Sequence, residues 1–94
     1  MTYVRSEYSF DKHPPHNLYP HKVTLRVVWE TDPDVETIKT VIAGHNLLLN
    51  RVAEARKWLE SNILNWQPEN VSSSVYRVCF SSKSDAMLFR VAQG

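Results

Sequence analysis

The sequence predicts an α+β domain with the element order β-β-α-β-α. Three observations predict it: two alternating apolar stretches near the N-terminus, a seven-residue apolar repeat through 33–65, and a third alternating stretch followed by a capped helix start. The expected arrangement is a small antiparallel sheet packed on one long heptad-patterned helix and a short C-terminal helix, with residues 1–94 as a single domain.

TYVRSEYSF at 2–10 is rich in aromatic and β-favouring residues, with Val4, Tyr8 and Phe10 on one side and Arg5, Glu7 and Ser9 on the other. DKHPPHNLYPHK at 11–22 follows. Its prolines 14, 15 and 20 remove backbone donors and fix φ, so no strand ladder can run through them. KVTLRVVWE at 22–30 is the clearest strand. Val23, Leu25, Val27 and Trp29 form a wholly apolar face, opposite Thr24, Arg26, Val28 and Glu30. The two strands are expected to pair as a hairpin with a long loop of about 11 residues, well above the usual length.

TDPDVE starts a helix. Asp32 can cap free amides, Pro33 suits the first helical position, and Asp34 and Glu36 complement the dipole. Val35, Ile38, Ile42, His45, Leu49, Val52, Arg56, Leu59 and Ile63 then recur at alternating spacings of three and four, and Val41, Leu48 and Ala55 widen the stripe. Pro68 disfavours helix at Gln67 and ends the run near Trp66. A straight helix over 33–65 would be about 50 Å long and would overhang a domain whose radius of gyration should be about 12–13 Å. Either it breaks at Gly44-His45-Asn46, or it stays whole and buries its overhang on another subunit. The heptad phase is the same on both sides of Gly44, which favours a continuous helix and a homo-oligomer, a dimer or higher, formed through 33–65. SVYRVCFS at 74–81 reads as the third strand. Ser82 caps a helix through DAMLFRVAQ, with Asp85 completing a box-like pattern. No internal repeat is evident.

Composition narrows function. The formal net charge is +1 without a block of like charge, so general nucleic-acid binding is not expected. The single cysteine, Cys79, allows no internal disulfide and fits a reducing, cytoplasmic setting. No apolar run predicts a membrane span, and the polar N-terminus predicts no signal peptide.

No catalytic constellation stands out. Only Gly44 and Gly94 occur, too few for a glycine-rich nucleotide cradle. Cys79 sits between Val78 and Phe80 in a strand and reads as structural, not as a nucleophile. His45, in the seam of the long helix, reads as a core histidine that can set register between helices. His13, His16 and His21 supply nitrogen ligands at nearly suitable spacing for zinc, but no thiolate joins them, and Pro14-Pro15 makes a tight clamp awkward. The preferred reading is a stiff presenting loop, with His16 and Tyr19 available for contact. The alternative is a His-based metalloprotein. Arg51, Arg56, Trp58 and Trp66, around the C-terminal half of the long helix, are of the types enriched at binding hot spots.

The last fifteen residues, FSSKSDAMLFRVAQG, resemble the ending of many small uncharacterised proteins of tailed bacteriophages, a strand followed by Asp-Ala-Met-x-Phe at a helix start. Phe80, Asp85, Ala86, Met87 and Phe89 match; Arg90-Val91-Ala92 departs from the Leu- and Trp-containing ending of that group. The resemblance covers about one-sixth of the chain. It implies phage origin and a protein that binds and redirects a host component, and it implies no activity. The expectation is therefore a non-enzymatic binding or modulator protein with no cofactor, acting on another protein in the cytoplasm. The alternative to it from a different class is an oligomeric small-ligand protein of nucleotide-binding type.

Overall fold

The structure, a computed structural model, describes residues 2–11, 18–29, 38–72 and 74–93. The chain is α+β. Strands β1 (Thr2–Phe10) and β2 (His21–Trp29) precede helix α1 (Ile38–Asn62), and strands β3 (Trp66–Ser72) and β4 (Val75–Phe80) precede helix α2 (Lys83–Gln93). All four strands form one antiparallel sheet in the order β1-β2-β4-β3.

Three strands and the C-terminal helix follow the sequence patterns within a residue or two, whereas α1 ends at Asn62, short of the expected 65. The apolar alternation of β2 puts Val23, Leu25 and Val27 inward, where they meet Tyr76, Val78 and Phe80 of β4. Ser82 begins α2 as expected: its hydroxyl accepts from the Asp85 amide at 3.5 Å, and its carbonyl accepts from Ala86 at 3.1 Å. Phe89 of α2 and Leu59 of α1 close the core above Phe80. The helix start expected at Asp32 and Pro33 lies outside the described residues.

The order β-β-α-β-α needs one addition. WQPENVS at 66–72 is a strand, not a connection. Glu, Pro, Asn and Ser all disfavour β structure, but β3 lies at the sheet edge, where a residue without an amide donor can be accommodated. Pairing with β4 forms this strand, with an irregularity between Asn70 and Ser72.

The architecture also reveals a repeat. Each half of the chain is a hairpin followed by a helix, and the central strands pair so that Leu25 faces Tyr76. Leu25-Arg26-Val27-Val28-Trp29 aligns with Tyr76-Arg77-Val78-Cys79-Phe80. In sequence the alignment runs on: Thr31 matches Ser82, Asp34 matches Asp85, Val35 matches Ala86 and Lys39 matches Arg90. The aligned residues Leu25 and Tyr76 face each other at the middle of the sheet, but the helices break any two-fold relation, since α2 packs mainly on β1, β2 and β4. The first strands do not align, because ten residues join β1 to β2 whereas only two join β3 to β4.

Helix α1 does not break at Gly44. Glycine there has a packing role. Trp29 at the end of β2 lies so close that a Cβ at position 44 would stand 2.7 Å from the indole. Small residues Gly44 and Ala55, with Leu48 and Leu59, form the line along which α1 rests on the molecule, and all four are buried. The helix is therefore docked through the row that widens the heptad stripe. Of the heptad row itself, Leu59 and Ile63 are buried, His45 and Val52 are half-buried, and Ile42 (54% exposed) and Leu49 (51%) lie open. The 25 residues of α1 rise about 37 Å along a body measuring 43 × 28 × 18 Å. The radius of gyration is 14.3 Å, above the roughly 12 Å of a close-packed chain of this length.

Candidate functional site

The sheet has two faces with different chemistry. The face away from the helices carries a polar ladder. Arg77 donates through Nε to the Thr24 hydroxyl at 3.2 Å and pairs with Glu69 at 3.7 Å. The Cys79 thiol donates to Glu69 at 3.6 Å, and Lys22 pairs with Asp11 at 3.2 Å. The Asp11 amide donates to the Pro20 carbonyl at 2.9 Å, tying together the ends of the His/Pro loop. Leu18 and Tyr19 line a recess of about 350 Å³ on this face, together with Lys22, Glu69 and Cys79.

This arrangement does not activate the cysteine. Burial first, and then the neighbouring Glu69 carboxylate, push the Cys79 thiol above its ordinary value, against the opposing pull of Lys22 and Arg77. A reactive cysteine needs the reverse, an electropositive setting that favours the thiolate.

His13 and His16 lie outside the described residues. His21 is not part of the loop: it opens β2, shares a 2.9 Å hydrogen bond between Nδ1 and the Tyr8 hydroxyl, and packs on Phe10 with ring centres 5.0 Å apart. Its Nδ1 is thus engaged with the fold. No group of three or more His, Cys, Asp or Glu side chains suited to a metal occurs among the described residues.

The other expected contact residues divide as well. Arg51 donates to the Gln93 carbonyl at 2.9 Å, joining α1 to the last turn of α2. Trp58 packs on Phe89 at 5.8 Å between ring centres, and both Trp58 and Trp66 are half-buried against the core. Arg56 alone of the four stands exposed beside a recess. That recess, about 310 Å³, lies between the flank of α1 and the β3–β4 hairpin. His45, Leu49, Val52 and Arg56 form one wall, with Pro68 and Tyr76 opposite. Both helices pack mainly on β1, β2 and β4, and edge strand β3 lies at the margin of that cover.

Tyr76 is the residue of this recess that sequence reading misses. Its alternation with Val78 and Phe80 marks it as core, and it is indeed only 6% exposed. Its hydroxyl is buried and has no hydrogen-bond partner among the described residues. Burial pushes the phenol upward, and the nearby Arg56 guanidinium partly opposes this. Only the rotation of α1 and the pairing of β4 bring Tyr76, Arg56 and His45 together, so residue spacing carries no signal of the cluster.

Among the described residues no helix is long and apolar enough to cross a membrane. No protein-family model, curated protein or solved structure matches the chain.

Proposed function

We propose that this protein is a non-enzymatic binding module that self-associates along α1 and modulates another protein, and that it is phage-encoded and acts on a host component in the host cytoplasm. One observation carries the reading. Ile42 and Leu49 keep about half their surface exposed, at the seven-residue spacing of a helix–helix seam, with His45 and Val52 completing the row. A helix that satisfied its core on the sheet alone would carry polar residues there. A second copy is the fitting occupant, because the row Ile42, His45, Leu49 and Val52 is apolar apart from His45 and lacks acidic residues. The elongated body, with Val41 and Leu47 also exposed, leaves further apolar surface along the same helix. The phage and host parts of the reading are supported by the Asp-Ala-Met-x-Phe ending.

Light scattering tests the association. At tens of micromolar the mass should be at least twice 10.9 kDa, and Leu49→Asp should return a folded monomer, since a carboxylate cannot be buried unpaired in an apolar seam. A native protein that stays monomeric overturns the reading. The phage origin is tested separately, by the genes that flank this one.

A further inference from the structure

The recess beside Tyr76 has the chemistry of a ligand site, and it is complete within one chain, so the argument does not rest on self-association. Its volume, about 310 Å³, lies at the lower end of small-molecule pockets, about 300–1,000 Å³. Leu48, Leu49, Val52 and Pro68 give it apolar walls, and no acidic side chain lines it among the described residues. His45 and Ser72 also line it, and two donors stand beside each other in it. One is the Arg56 guanidinium, which pairs with no carboxylate among the described residues. The other is the Tyr76 hydroxyl.

That hydroxyl is the telling feature. Buried polar groups in folded proteins nearly always have partners, and leaving one without costs about 1–3 kcal/mol. Phenylalanine would fill the same space without that cost, so the oxygen calls for an acceptor from outside the chain. An acceptor that also carries negative charge gains from Arg56. Arg56 is the one guanidinium or ammonium group among the described lining residues, which suits a monoanion better than a phosphate dianion. Arg56 is exposed and lines the same recess as Tyr76.

We propose that the recess binds a small carboxylate with an apolar body, the carboxylate accepting hydrogen bonds from Tyr76 and Arg56 and the body lying against Leu49, Val52 and Pro68.

The probes are 4-phenylbutyrate and its neutral counterpart 4-phenyl-1-butanol, titrated into ¹⁵N-labelled full-length protein and followed by amide chemical shifts, with the mass of each sample measured by light scattering. Saturable shifts on α1 around Leu49 and Val52 and on β4 around Tyr76 are expected with the carboxylate, and binding of the alcohol should be at least about tenfold weaker, the loss expected for one charge-assisted hydrogen bond. Tyr76→Phe, which keeps the core filled, and Arg56→Gln should each weaken the carboxylate by a similar factor. The proposal is overturned by equal affinity for acid and alcohol, by Tyr76→Phe binding that matches the parent, or by no saturable shift. Leu49 and Val52 also belong to the seam of the proposed self-association, so saturating carboxylate should lower the mass of a self-associated sample, whereas the comparison of acid with alcohol reports on the recess alone.

Discussion

Gly44→Ala tests how closely α1 is pressed onto the sheet. By helix propensity alone the change should stabilise the protein by about 1 kcal/mol, since glycine in a helix interior is that much worse than alanine. The structure opposes it. The new Cβ would stand 2.7 Å from Cζ2, 2.8 Å from Nε1 and 2.9 Å from Cε2 of Trp29. Ordinary contact is about 3.5–4.0 Å, so the indole would have to retreat by roughly 0.8 Å as a rigid unit. Trp29 packs against the core at the end of β2, and such crowding costs about 1–3 kcal/mol. Crowding therefore outweighs propensity, and a net loss of about 1 kcal/mol is expected, or about 4–8 °C in Tm for a domain of this size. The sign should reverse once the ring is gone: in a Trp29→Leu background, Gly44→Ala should gain up to about 1 kcal/mol. Urea denaturation followed by circular dichroism, at one fixed protein concentration, measures both. A Gly44→Ala protein more stable than its parent would refute the close approach.

Phe89→Ala should cost about 3–5 kcal/mol by urea denaturation, because the ring is fully buried against Phe80 and Trp58. His21→Ala should lower stability by about 1–2 kcal/mol through loss of the Tyr8 hydrogen bond and the Phe10 contact; an equal loss when EDTA is added to the parent would instead indicate a metal at His21. Tm should fall as pH rises above 9. The folded chain holds the Cys79 proton above its ordinary value of 9.0 and the Tyr76 proton above 10.0, so the unfolded chain deprotonates first and stability drains through that window. Cys79→Ala should remove the earlier part of the decline and Tyr76→Phe the later part; a flat Tm from pH 8 to 11 in the parent would contradict both shifts.

Much of this fold is legible in the sequence because its signals are local. The alternations of β1, β2 and β4 and the Ser82 cap each depend on neighbours only a few residues away. β3 is not legible, since Pro68, Asn70 and Ser72 carry no β pattern and the strand exists through its partner. The role of Gly44 is likewise hidden. In sequence it reads as a weak point in a helix, and only the approach of Trp29 makes it a contact. The heptad row is plain in the sequence, but which row docks is decided by where Gly44 and Ala55 let the helix come close. The candidate site is the least legible. Arg56 can be singled out by type, whereas Tyr76 looks like any inward strand residue until the register leaves its hydroxyl alone. The same structure assigns Arg51, Trp58 and Trp66 to packing, although their residue types equally suit a binding surface.

The two hairpin–helix units have a consequence for the order in which the molecule is made. The hairpins close locally, but the middle of the sheet joins β2 to β4, segments separated by all of α1 and β3. Such distant pairings form late. As the chain leaves the ribosome, β1, β2 and α1 emerge with the inner edge of β2 unpaired, and an unpaired apolar edge is a template for other chains. Until β4 arrives, the edge of β2 along Val23, Leu25 and Val27 has no strand beside it. Residues 66–93 thus act as a chain-internal stopper. Their arrival converts an edge that invites a neighbour into the sealed centre of one molecule.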